Sequence, residues 1–125
     1  MSKAQKTFAF PKTERLSGKK KIEELFKNGS SLYNHPLRIK FLQDDTLEVN
    51  QFMVSVPRKY IKKAVGRNRL KRRLKEAYRL YKPTFYQSTP SRYLIAIMYL
   101  SSEELSYKVL ETKLRQMLRR LSKSK

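Results

Sequence analysis

Cysteine and tryptophan are absent from this 125-residue chain, and histidine occurs once. Without thiols there is no disulfide framework and no thiolate metal site, a composition that suits a reducing cytoplasm. No run of about 18 apolar residues exists, so no segment reads as a membrane-spanning helix. The N-terminus lacks the apolar stretch of a secretory signal. Acidic residues are scarce as well, 10 Asp and Glu against 30 Lys and Arg. They are also scattered. Glu23-Glu24 and Glu103-Glu104 are sequence neighbours, as surface or helix-start acids often are, and Asp44-Asp45 falls in an expected turn. The single His35 precedes Pro36 at the start of an expected strand. Adjacent acids can hold a hydrated Mg2+, but acid–base or two-metal hydrolysis needs a convergent cluster. None is legible, so the sequence assigns no catalytic and no metal-ligating residue.

What is present is positive charge, a formal net +20. Self-repulsion on that scale destabilises a small domain, and a polyanionic partner relieves it. Nucleic acid is the first candidate. An anionic membrane surface is the second, because clustered Lys and Arg also bind lipid head groups. The length leaves room for one compact domain with a modest core. Hydrophobic residues at 39%, among them six Phe and eight Tyr, are enough to build it.

Residues 1–16 read as a basic, loosely ordered arm in which Phe8, Phe10 and Leu16 can pack locally; a single domain spans 17–121, then a basic tail covers 122–125. The spacing of Ile22, Leu25 and Phe26 predicts a helix over 18–28, with Gly29 suited to its C′ position. Leu37, Ile39 and Phe41 alternate with Arg38 and Lys40, the period of a half-buried strand. A second extended stretch covers about 46–56, as one bent strand or two, with Phe52, Val54 and Val56 on one face and Ser55 on the other. The best helix spans 67–81, stopped by Pro83, with Arg79 and Lys82 near its negative C-terminus. Residues 92–100 are nearly all apolar, as a strand covered on both faces is. Ser106 then reads as an N-cap, with Leu105 and Leu110 as a hydrophobic staple. Leu114, Met117, Leu118 and Leu121 continue that helix's apolar stripe. The order α-β-β-(β)-α-β-α implies an α+β fold, one two-layer sandwich of helices on a sheet.

The stretch Arg58 to Lys82 holds twelve Lys or Arg and a single acid, Glu76. At 100° per residue, Leu70, Leu74, Ala77, Tyr78 and Tyr81 share the core face of the helix, and Asn68, Lys71, Arg72, Lys75 and Arg79 lie opposite, a cationic stripe of about three turns. Arg69 and Arg73 occupy a flank. Solvated helix faces usually mix signs, because acid–base pairs one turn apart stabilise a helix and like charges oppose it. Here the like charges stack along one face. Such a stripe offers several cations to a phosphate backbone at once, and Asn68 adds a hydrogen-bonding group for a base or sugar.

The run Ala64-Val65-Gly66-Arg67-Asn68-Arg69-Leu70-Lys71-Arg72, followed by Lys75-Glu76-Ala77, resembles the signature of the bacterial ribonuclease P protein family, with its Arg-Asn-Arg motif. The resemblance covers nearly the whole chain, in order: Arg15-Leu16, the Leu25-Phe26-Lys27-Asn28-Gly29 helix end, the strand from Phe52 to Val56, the apolar strand near 94–98 and the helix start Leu105-Ser106-Tyr107. Two positions depart from the family pattern. Lys62 stands where a glycine is usual, and Ile22 where an aromatic is frequent.

The resemblance implies a subunit of a ribonucleoprotein endonuclease. An RNA subunit then carries the chemistry, with Mg2+ held mainly by RNA, and the protein alone is inactive. The implied partners are that catalytic RNA and precursor tRNA, whose 5′ leader is removed; no membrane and no obligate protein partner are implied. The implied setting is the bacterial cytoplasm. The implied fold is the small sandwich of ribosomal-protein-like domains with a left-handed βαβ crossover. Carried onto this chain, the RNA-binding region is Arg67, Asn68, Arg69, Lys71, Arg72, Lys75 and Arg79, with Lys59, Lys62 and Lys63 ahead of the helix. The implied leader cleft lies between the first helix and the sheet, at Ile22, Phe26, Lys40 and Ser55.

Single-strand binding needs a basic groove with exposed aromatics. The residues themselves offer Phe26 and Phe41 for stacking, with Lys40 and Ser55 on the outward strand face. Burial competes for both rings, and it is the favoured fate of Phe41. Two other classes share part of this profile. A structural ribosomal protein has the charge and fold but no need of the ordered signature, and a cationic membrane-active protein needs an exposed apolar face.

Overall fold

The computed structural model describes residues 14–123, so the expectations for the arm before Glu14, Phe8 and Phe10 included, and for the last two residues lie outside it. The elements in chain order are α1 (Lys19–Asn28), β1 (Ser30–Asn34), β2 (Leu37–Gln43), β3 (Gln51–Ser55), α2 (Ala64–Ser88), β4 (Tyr93–Tyr99) and α3 (Tyr107–Lys123). The strands form one sheet in the order β1-β2-β4-β3. β2 pairs antiparallel with β1 and β4, and β3 runs parallel to β4. Parallel neighbours cannot be joined by a hairpin and need a crossover, which α2 supplies. The fold is α+β, as expected.

Strand alternation divides the core in two. On one face Leu37, Ile39, Phe52, Tyr93, Ile95, Ile97 and Tyr99 pack against Leu70, Leu74 and Tyr78 of α2 and Leu110, Leu114 and Leu118 of α3. The Phe52 and Tyr78 rings stack with centroids 4.0 Å apart. On the other face α1 closes a smaller cluster of Leu16, Leu25, Leu94 and Ala96, edged by Ile22, Leu42, Leu47 and Met53. β4 contributes to both clusters, which is why its sequence is apolar almost throughout. The α3 stripe is buried as its spacing implies. Ser106 Oγ accepts the Val109 amide at 3.4 Å, the capping bond expected of it.

Four local features differ from the sequence reading. β1 carries one inward Leu32 amid small and polar residues, so its period is too faint to see; it is defined instead by pairing with β2. Of the 46–56 stretch only Gln51–Ser55 is strand. The preceding turn is held by Asp44, whose Oδ1 accepts the Thr46 amide at 3.1 Å and whose Oδ2 meets Lys21 Nζ at 3.1 Å. Gly29 ends α1 with φ −77°, so it is no left-handed cap. Its need is space: a Cβ there would sit 2.5 Å from the Leu25 carbonyl oxygen and 2.9 Å from that of Phe41.

The fourth difference is Pro83, which lies inside α2 and does not stop it. An interior proline costs about 3 kcal/mol through its missing amide and ring clash. Two residues just beyond it offset that cost. Phe85 is fully buried, worth about 1.5–3 kcal/mol. The Tyr86 hydroxyl accepts the Asn50 amide at 3.2 Å, worth about 0.5–1.5 kcal/mol. Asn50 in turn accepts the Tyr93 amide at 2.7 Å, tying the end of α2 to the starts of β3 and β4. Arg79 and Lys82 therefore sit mid-helix, and each meets an acid instead of the helix terminus.

Candidate nucleic-acid interface

After Arg67, the basic residues of α2 and the Asn68 among them separate into three groups by what they touch. Toward α3, Arg69 donates twice to Glu104, at 2.9 and 3.0 Å, and Arg73 donates to the Leu105 carbonyl at 2.7 Å. Arg79 forms a bidentate pair with Glu76 at 2.9 and 2.7 Å, and Lys82 meets Glu14 at 2.8 Å. The stripe is thus less bare than its sequence suggests, because Glu76, Glu104 and Glu14 compensate its flanks and far end. The third group is Asn68, Lys71, Arg72 and Lys75, which form no ion pair among the described residues. Burial, then the charges of Lys71 and Arg15, push the Lys75 ammonium below its usual pKa. A cation held against its own repulsion in this way gains from an arriving anion.

The segment ahead of α2 adds to this surface. Lys62 and Lys63 are exposed, and Lys59 Nζ lies 5.3 Å from the centre of the Tyr60 ring. Arg67 turns back to donate to the carbonyls of Ile61 and Lys62, at 3.1 and 2.7 Å. It shapes the loop as much as it offers charge. Lys62 needs no glycine-like backbone, since no non-glycine residue among those described has a positive φ. Gly66 leaves room for its neighbours, a Cβ there falling 2.9 Å from the Ile61 side chain and 3.0 Å from the Glu104 carboxylate. The Lys63 N-cap makes no side-chain bond and no acid occupies the first turn of α2. The positive end of the helix dipole opens on a groove of about 230 Å3 lined by Lys62, Lys63, Arg69 and Glu104.

The second candidate surface lies on the α1 side of the sheet. Register places Tyr33, Arg38, Met98 and Ser55 in one row across all four strands. The next row, Ser31, Lys40, Ala96 and Met53, runs toward the small cluster that α1 covers. Phe26 on α1 is 39% exposed, so its ring is not committed to the core. Lys40 Nζ donates to the Gly29 carbonyl at 3.3 Å, at the end of α1. Ile22 edges the small cluster and is half-buried. Phe26, Lys40, Ser55 and Ile22 thus share one side of the molecule, while Phe41 packs on the opposite face, edge-on to Tyr93 at 6.1 Å. Arg38, outward beside Lys40 as the strand period implied, belongs to this surface, and so does Tyr33, 56% exposed, which was not legible in the sequence. The signal is the in–out alternation of Leu32 and Tyr33, visible only once β1 is known to be a strand.

A small α+β domain with an uncompensated cationic helix face and a basic, aromatic-edged sheet face defines a nucleic-acid-binding protein. The sequence model of the ribonuclease P family matches residues 10–122. The ribonuclease P protein component of Porphyromonas gingivalis is 31% identical over 121 residues, covering 93% of this chain and 88% of that protein. That of Vibrio cholerae is 30% identical over 117 residues, covering 94% and 95%. The structure of the RNase P protein from Thermotoga maritima superposes with a TM-score of 0.71 at 27% identity, covering 86% of this chain and 96% of that one. The Staphylococcus aureus RNase P protein shares the fold, with a TM-score of 0.74 at 17% identity over 86% and 94% of the two chains. This chain belongs to the ribonuclease P protein family and is a protein component of that endoribonuclease. Among the described residues no helix is long and apolar enough to cross a membrane.

Proposed function

We propose that this chain binds the catalytic RNA of ribonuclease P through α2 and the loop before it, and receives the 5′ leader of precursor tRNA on the α1 side of the sheet. The observation that carries this reading is the group Asn68, Lys71, Arg72 and Lys75, which has no ion pair among the described residues. Its cations repel one another, and a phosphate backbone relieves that repulsion while releasing counterions. The row Tyr33, Arg38, Met98, Ser55 spans about 14 Å at about 4.8 Å per strand. With Phe26 and Lys40 at its side, it offers stacking and charge to an extended single strand. The chain binds and orients, and the hydrolysis belongs to the RNA. The Mg2+ of the reaction is assigned to the RNA, as the family resemblance implies. The setting is the bacterial cytoplasm.

Reconstitution with a bacterial ribonuclease P RNA tests the reading. The chain should tighten binding of leader-bearing tRNA over mature tRNA and promote removal of the leader. Equal affinity for the two tRNAs, with no effect on cleavage, would sink it.

A further inference from the structure

After Glu111 α3 carries Lys113, Arg115, Arg119, Arg120 and Lys123, and no further acid. Glu111 lies 4.0 Å from Arg115; no ion pair among the described residues reaches Arg119, Arg120 or Lys123, and all three are exposed. Together with Asn34 and Gln116 they line a groove of about 410 Å3 between the end of α3 and β1. Asn34 Nδ2 donates to Gln116 Oε1 at 3.2 Å, which sets the two amides side by side at the groove. The remaining atoms of these amides, the Asn34 oxygen and the Gln116 nitrogen, are left as one acceptor and one donor. A helix C-terminus favours cations in its last turn, and that accounts for Arg120 and Lys123. It does not account for Arg119 beside them, nor for five cations set against one acid.

The groove is remote from the α2 stripe. β1 is one edge of the sheet and β3 the other. Lys75 feels the charge of Arg15, and Arg15 bridges to Phe52 on β3. Three strand spacings put the two edges about 14 Å apart, so one phosphate cannot serve both.

We propose that the α3–β1 groove is a second site for the sugar–phosphate backbone of the catalytic RNA, so that the protein holds that RNA at two separate places while the leader keeps to the α1 side of the sheet. Guanidinium forks match phosphate oxygens, and the paired amides suit ribose hydroxyls. The proposal rests on the RNA-binding reading of α2 and extends it to the opposite edge of the sheet.

The test is the full chain carrying Arg119→Gln, Arg120→Gln and Lys123→Gln, titrated against ribonuclease P RNA over a salt series beside Arg72→Ala. Glutamine is close to Arg and Lys in helix propensity, so the fold should persist in a thermal melt. Affinity at low salt should fall about 10- to 100-fold, and the log–log salt slope should become shallower by about 2 to 3, as expected for three lost phosphate contacts. If the triple variant unfolds, Arg119→Gln alone carries the test, with a slope change of about 0.7 to 0.9. Unchanged affinity and slope, while Arg72→Ala binds weakly, overturn the second site and leave the α2 reading standing. If neither variant weakens binding, the RNA-binding reading itself fails, and the second site with it.

Discussion

Arg72 and Leu74 are two residues apart on α2 and face opposite ways, one exposed and the other fully buried among Leu70, Tyr78 and the sheet. Arg72→Ala should leave the melting temperature nearly unchanged, since Ala is at least as good a helix former. Its RNA affinity should fall several-fold. Leu74→Ala should cost about 2–5 kcal/mol through lost burial and a cavity, and lose binding only as it unfolds. Thermal melts and leader-RNA titrations of both variants check this; exchanged outcomes would mean the two faces are assigned the wrong way round. At this scale the sequence was a good guide to which face each residue takes, because the 3.6-residue period is strong in α2. It was a poor guide to partners. Glu104 is 35 residues from Arg69, and nothing local announces that Arg69 meets it.

Among the elements, those with a strong apolar period were legible: α1, β2, β4, α3 and the first part of α2. β1 was not, because its stability comes from backbone pairing with β2. The extension of α2 past Pro83 was not, because tertiary burial of Phe85 and the Tyr86–Asn50 bond outweigh a local helix breaker. The turn after β2 makes a pH-dependent prediction. Hydrogen bonds from Thr46, and then the Lys21 pair, hold the Asp44 carboxyl below the ordinary value of 3.8. A carboxylate with a depressed folded pKa stabilises the fold above its unfolded pKa, and that contribution fades as pH falls through the folded value. Asp44→Asn should therefore be less stable than the parent at neutral pH, and the gap should close below about pH 4. Denaturant melts across the acid range measure it. A gap that stays constant to pH 2 would show that the charge of Asp44 is immaterial.

For the molecule as a whole, the net charge of +20 is the dominant fact. That number narrowed the partner to a polyanion, nucleic acid before membrane, and the family was legible from the Arg-Asn-Arg region. The row that joins Arg38 to Tyr33 was not legible, because it exists only through strand register. If about 5 phosphates of a single strand are contacted, the log of leader-RNA affinity should fall with log salt at a slope of roughly −3 to −4. A slope near zero from low to moderate salt would refute the electrostatic account. Purified protein freed of RNA should cleave no precursor tRNA. Cleavage that survives nuclease pretreatment of the preparation would place chemistry on the chain itself.

The two clusters that flank the sheet are unequal in size, and this has a consequence for local opening. α2 and α3 share the large one, whereas α1 rests on Leu16, Leu25, Leu94, Ala96 and a few half-buried neighbours. Elements with fewer buried apolar contacts open at lower free energy than the global transition. In native-state hydrogen exchange the amides of α1 should therefore lose protection before those of α2, α3 and β4. Among the described helices and strands the wall that carries Phe26 is then the first to yield, and on the proposed reading an extended RNA strand would enter beside it without disturbing the main core.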